Sequence, residues 1–263
     1  MSMIYKPFFG LKNEPFASDI ATKELLKLPS MVGVKERVDY VMSIGGALVI
    51  TGEVGSGKST SLRWTISHYH PSEVLIVNVI ANSGSIAEMY KLICWGLGLT
   101  PANASKSRLV TDAKTAIVDI VKSKKQKIVL IIDEANLMRS DVFGELHTLT
   151  QFDHDSKNLL SLVLCGQTAL LDKLAYRSSM PLASRVVAKT HLETLSRTQL
   201  DEYIIHHLRI AGVKKPLFAE NAISAIHQGS GGVLRKVNSL ARGGLMAAAI
   251  EKENQVSAEH IRI

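Results

Sequence analysis

The chain has 263 residues, 46% of them hydrophobic, enough to bury a sizeable core and to form one large domain or two modest ones. Its 31 Lys and Arg against 24 Asp and Glu leave a net charge of +7, which favours encounters with polyanions such as nucleic acid or anionic lipid without defining a site. Cys94 and Cys165 lie inside apolar segments with no partner at metal-ligand spacing, which argues against a disulfide framework or a zinc site and for buried, reduced thiols.

The opening stretch MSMIYKPFFGLKNEPF lacks a continuous apolar run of the signal-peptide kind, and no window approaches the roughly 20 apolar residues that cross a bilayer. The expectation is a cytoplasmic chain with no membrane insertion. After a lead-in over 1–45, strands are predicted at 47–51, 74–80, 127–132, 159–165 and 186–191. All are rich in Val, Ile and Leu without strict alternation, the pattern of a parallel sheet buried on both faces. Helices are predicted between them at 58–69, 85–97, 107–123 and 141–152. Beyond 194 the strand signal stops, and four helical stretches follow, SRTQLDEYIIHHLRIAG, AENAISAIHQGSG, VLRKVNSLARGGLMAAAIEK and SAEHIRI, the first opened by a capping box of Ser196 and Gln199. The predicted organisation is an α/β domain over 1–194 and a small helical domain over 195–263. Trp64, Trp95, Phe8, Phe9 and Phe16 are expected in the core. His206 and His207, adjacent on one helix, point to different faces and make a poor metal pair.

Between the first strand and the first long helix lies GEVGSGKST, residues 52–60, where Gly52, Gly55, Gly57, Lys58 and Ser59 fit G-x-x-x-x-G-K-[ST]. Glycines let successive backbone N–H groups turn inward, so Glu53, Val54, Ser56 and Thr60 contribute amides to the same cradle, and the helix N-terminus adds its positive end. Lys58 is placed to neutralise β and γ phosphates and the Ser59 hydroxyl to ligate Mg²⁺. A Gly-rich turn with a solvated lysine is the plainer alternative. In KIVLIIDEANLM, Asp133 and Glu134 end an apolar strand, where open parallel sheets bind ligands. Asp133 is expected in the Mg²⁺ shell through water, and Glu134 is expected to polarise an attacking water. Capping of the next helix by this acidic pair, or by Asn136, is the alternative.

GEVGSGKS and IIDEA resemble the motifs of the AAA+ ATPases. The resemblance implies a P-loop fold, a five-stranded parallel sheet with helices on both faces and a C-terminal helical lid, with ATP and Mg²⁺ as cofactors. It further implies that Gln167 orients water as the sensor 1 residue and that Arg185 acts as an arginine finger on a neighbour's nucleotide, with Arg177 as its rival. Arg235, in GGVLRKVNSLA, takes the sensor 2 position that touches the γ-phosphate, although the proline common before that arginine is replaced by Leu234. Phe16 or Val32 would line the adenine pocket. A narrower likeness, carried by YKPFFGLKNEPFASD, GQTALLDKL with ASRV, and LSRTQLDEYIIHHLRIAG, is to the ExeA-type ATPases, which include secretion and transposition proteins. The secretion members continue into a membrane span and a further domain absent from these 263 residues. The resemblance implies a homo-oligomer, ring or filament, whose client is duplex DNA with a transposase or a protein of a secretion apparatus. Turnover and a low-turnover ATP switch are both compatible with it. Lys122, Lys124, Lys125 and Lys127 of KSKKQK, with Lys214, Lys215, Arg235, Lys236 and Arg242, form the candidate DNA-contacting set.

Overall fold

The computed structural model describes residues 5–101 and 105–262. In chain order the elements are α1 (Tyr5–Phe9), α2 (Pro29–Ile44), β1 (Gly46–Gly52), α3 (Lys58–Ile66), β2 (Val74–Ile80), α4 (Ile86–Gly96), α5 (Lys106–Ser123), β3 (Lys127–Asp133), α6 (Ser140–Thr150), β4 (Ser161–Gly166), α7 (Ala169–Ala175), α8 (Met180–Ala183), β5 (Val186–Leu192), α9 (Arg197–Ile210), α10 (Glu220–Ser230), α11 (Leu234–Ile250) and α12 (Ala258–Arg262). They group into two compact units. One comprises Leu28–Glu53 and Lys58–Leu192, the other Met1–Lys27, Val54–Gly57 and Glu193–Ile263.

The first unit is the predicted five-stranded sheet, all parallel, in the order β2-β3-β4-β1-β5. Its apolar strands supply two cores because the pleat sends alternate side chains to opposite faces. Ile128, Leu130 and Ile132 join one cluster with α4, α5 and α6, whereas Val129 and Ile131 join another with α2 and α3. The edge strand β5 alternates between half-buried and exposed residues until Leu192. Three helices of this unit were not predicted. Helix α2, with Pro29 at its start, buries Met31, Val34, Val38 and Val41 on one stripe, whereas α7 and α8 are too short to show a period. Conversely, α3 stops at Ile66 rather than 69, because the His68 and Tyr69 N–H groups tighten into i→i−3 bonds ahead of Pro71.

In the second unit the four predicted helices appear as α9 to α12, and Ser196 and Gln199 form the expected capping box. Of the last predicted stretch, Ile263 lies outside the described residues. This unit also holds the N-terminal segment, which the sequence boundary at 194 grouped with the sheet. The Lys12 N–H donates to Ala211 O at 2.8 Å, and His207 Nδ1 donates to Pro15 O at 2.6 Å. Arg242 pairs with Glu14 at 3.2 Å and donates to Phe16 O at 2.8 Å. Phe16, fully buried, stacks on His207 and meets Phe218 edge-on.

Trp64 and Phe16 are core residues as expected, but Trp95 is 56% exposed and Phe8 37% exposed. The buried stripe of α4 runs through Met89, Tyr90, Ile93 and Cys94, and Trp95 falls off its side. Among the described residues no helix is long and apolar enough to cross a membrane.

Candidate functional site

In the sheet unit, the order of parallel strands brings the carboxyl ends of β1, β4 and β3 side by side, so Gly52, Gly166 and Asp133 end on one rim. Lys58, the first residue of α3, is 6% exposed, and its ammonium donates to the carbonyls of Gly52 and Glu53, each at 2.8 Å. A buried cation needs such partners, and these two carbonyls supply them. The Ser59 hydroxyl donates to Asp133 Oδ2 at 2.9 Å, while the Glu134 N–H donates to Asp133 Oδ1 at 2.9 Å. Thr60 completes the first turn of α3, half-buried. Glu134 itself has φ 53° and ψ 34°, a left-handed conformation that turns the chain out of β3 into a 3-10 turn over Ala135–Leu137. Burial and the neighbouring Asp133 push the Cys165 thiol, on β4, well above its usual range.

Gln167 follows β4 on the same rim, half-buried, and its N–H donates to Asn136 Oδ1 at 2.8 Å. Asn136 therefore caps no helix: α6 has Arg139 at its N-cap and no side-chain cap bond. The role of Asn136 in holding Gln167 was invisible in sequence because 31 positions separate the two residues.

The middle of the glycine loop belongs to the helical unit. The Arg235 N–H, in the first turn of α11, donates to Gly55 O at 3.2 Å. Gly55 and Gly57 have φ of 86° and 96°, and a Cβ on either would lie 2.6 Å from Arg235 Cβ or 2.8 Å from Leu234 Cδ1. Only glycine satisfies both the backbone sign and the space. Glu53 and Val54 are exposed, whereas the Ser56 hydroxyl is buried without a hydrogen-bond partner among the described residues. Within the sheet unit, Lys58, the Ser59 hydroxyl and the Asp133 and Glu134 carboxylates make a donor set whose chemistry suits a magnesium-bound nucleoside triphosphate.

Arg185 stands apart from this group within the chain, at the opposite, amino-terminal end of the parallel sheet, where its carbonyl accepts from Ala47 N. Its side chain is 14% exposed and paired with Asp155, yet its Nε is buried with no partner among the described residues. Asp155 comes from three successive residues in left-handed backbone, Asp153, His154 and Asp155, with φ of 49°, 54° and 72°. The hydrogen bond from Arg185 holds the Asp155 carboxyl below its usual range, and burial followed by Arg185 lowers His147. Arg177, the rival, is exposed. Of the two adenine-pocket candidates, Phe16 is packed inside the helical unit and Val32 is 37% exposed on α2. One cluster unforeseen in sequence joins Glu251, Glu253 and His260. Because the Ser257 N–H donates to His260 Nδ1 at 2.8 Å, the ring proton sits on Nε2 and is given to Glu251 at 3.1 Å, so the ring presents no lone pair to a metal.

The family model described as "AAA domain" matches residues 42–174, just over half of the chain. General secretion pathway protein A of Aeromonas hydrophila is 31% identical over 247 residues, covering 93% of this chain and 45% of the relative, so the chain spans under half of that protein. Among solved structures, Cdc6p of Pyrobaculum aerophilum aligns with a TM-score of 0.69 at 15% identity over 92% of this chain and 67% of its own. The Aeropyrum pernix ORC1 protein, solved in complex with DNA, aligns at 0.68 and 15% over 94% and 67%. The Thermotoga maritima RuvB Holliday junction branch migration motor aligns at 0.55 and 15% over 95% and 72%. These structural likenesses establish the fold, and the ExeA-type resemblance holds across both units. The chain therefore belongs to the AAA domain family, with its glycine loop and acidic strand end inside the matched segment.

Proposed function

We propose that the chain binds ATP with Mg²⁺ and hydrolyses it as a cytoplasmic homo-oligomer, and that it is a DNA-associated regulator of the transposition-ATPase kind. The observation that carries the hydrolytic reading is the 2.9 Å bond between Ser59 and Asp133, which sets a hydroxyl at a helix start against a carboxylate at a strand end. Ser59 and, through water, Asp133 would hold Mg²⁺, which would supply charge neutralisation to the phosphate oxygens. The amides of 54–59 bind the phosphates, and Lys58 exchanges the carbonyls of Gly52 and Glu53 for phosphate oxygens. Glu134 draws the proton from the attacking water, which the Gln167 amide orients, and Arg235 approaches the γ-phosphate.

Arg185 acts on a neighbouring copy, in keeping with its distance from Lys58 and Asp133 within one chain. The DNA reading rests on the +7 charge and on the exposed Lys122, Lys124, Lys125 and Lys127, with Lys214, Lys215, Arg235 and Lys236 also exposed. Arg242 contributes less, being tied to Glu14 and Phe16. The 31% identity to a secretion-pathway protein favours a second reading, a secretion-assembly ATPase with a protein client. Phosphate release and particle size measured together, with and without duplex DNA, separate the readings. Stimulation by DNA with growth in size supports the first, indifference to DNA favours the second, and ATP retention with negligible release defines a switch. Glu134→Gln is expected to retain ATP and lose at least about a hundredfold in turnover.

A further inference from the structure

We propose that Asn136 is a positioning residue whose side chain locks Gln167 to the turn bearing Glu134, so that the two groups assigned to the attacking water keep one fixed separation. The inference rests on the hydrolytic reading of the site given above. Asn136 is 9% exposed, and its Oδ1 reaches from the turn after β3 to the amide leaving β4. The approach is so close that a Cβ on Gly166 would lie 2.5 Å from that oxygen and 3.1 Å from Asn136 N.

The turn is itself anchored. Ala135 and Met138 are fully buried, Leu137 N donates to Glu134 O at 2.8 Å, and Lys173 of α7 donates to Met138 O at 2.6 Å. At its other end the Glu134 N–H is held by Asp133, which Ser59 also engages. A path of hydrogen bonds, joined by the backbone of the Glu134 turn, thus runs from Ser59 through Asp133 to Asn136 and Gln167. A residue that only closed its own turn would bond locally. Asn136 instead fixes the backbone from which the Gln167 side chain departs, and displacement of such a group by about 1 Å costs on the order of a hundredfold in rate.

The full chain tests this with three readouts: amide exchange at Gln167, ATP turnover and nucleotide affinity. In Asn136→Ala the Gln167 amide exchanges faster, kcat falls about tenfold to a hundredfold, and affinity stays within about threefold of the parent. Asn136→Asp keeps an oxygen acceptor and restores both the protection and most of the turnover. In a Gln167→Ala background, Asn136→Ala adds no further loss, since it acts through that residue. Unchanged Gln167 exchange in Asn136→Ala, unchanged kcat, or losses that multiply in the double variant would each overturn the proposal. A parent that binds ATP without turnover sinks the hydrolytic reading by itself, and the exchange measurement then decides separately whether the lock exists.

Discussion

Ser59 and Asp133 stand 74 positions apart in the chain and 2.9 Å apart in space. Each was recognisable in sequence because its signal is local: a glycine loop with its lysine on one side, two carboxylates ending an apolar run on the other. What joins them to Gln167 was not recognisable, because the Asn136 bond depends on strand order and on the missing Cβ of Gly166. Gly166→Ala, which forces that Cβ against Asn136, is expected to cost about 1–3 kcal/mol, read as a lowered melting temperature. The two thiols make a second residue-scale prediction. Burial raises both Cys94 and Cys165, so neither offers a thiolate near neutrality, and maleimide labelling at about pH 7.5 should be negligible until denaturant is added.

Element positions were largely legible, since five apolar runs and the periodic stretches between them announce a parallel sheet with its helices. The N-terminal segment was not, because its partners lie about 200 residues away and its few apolar residues carry no period. Its attachment through His207 gives a pH prediction. The His207 ring is 2% exposed, and since a carbonyl can only accept, Nδ1 carries the proton given to Pro15. Burial lowers this imidazole to about 4, against about 6.5 when unfolded. Between those values the unfolded chain takes up a proton that the native ring refuses, so stability is full above about pH 6.5 and declines as the pH falls towards 4, by up to about 3 kcal/mol. His207→Asn keeps a donor but does not titrate. Its melting temperature should fall less than the parent's across that interval, and parallel profiles would refute the assignment.

At the scale of the whole molecule, the proposed assembly and client predict behaviour that no single site shows. Arg185→Ala should bind ATP yet lose turnover, and mixing it in equal parts with Glu134→Gln should recover part of the activity, because each supplies what the other lacks across the interface between copies. Absence of any recovery in mixed samples counts against action between copies. If exposed lysines bind duplex DNA, log affinity should fall linearly with log salt, and reversing Lys122, Lys124 and Lys125 to Glu should flatten that slope by about one for each phosphate no longer neutralised. The pairing of Arg185 with Asp155 has its own consequence for assembly. Among the described residues one guanidinium N–H is enclosed with nothing to receive it, which leaves a bond unmade at that spot. A docked neighbour bringing an oxygen to Nε would complete the set of bonds, and this arginine would then favour company over solitude before any chemistry begins.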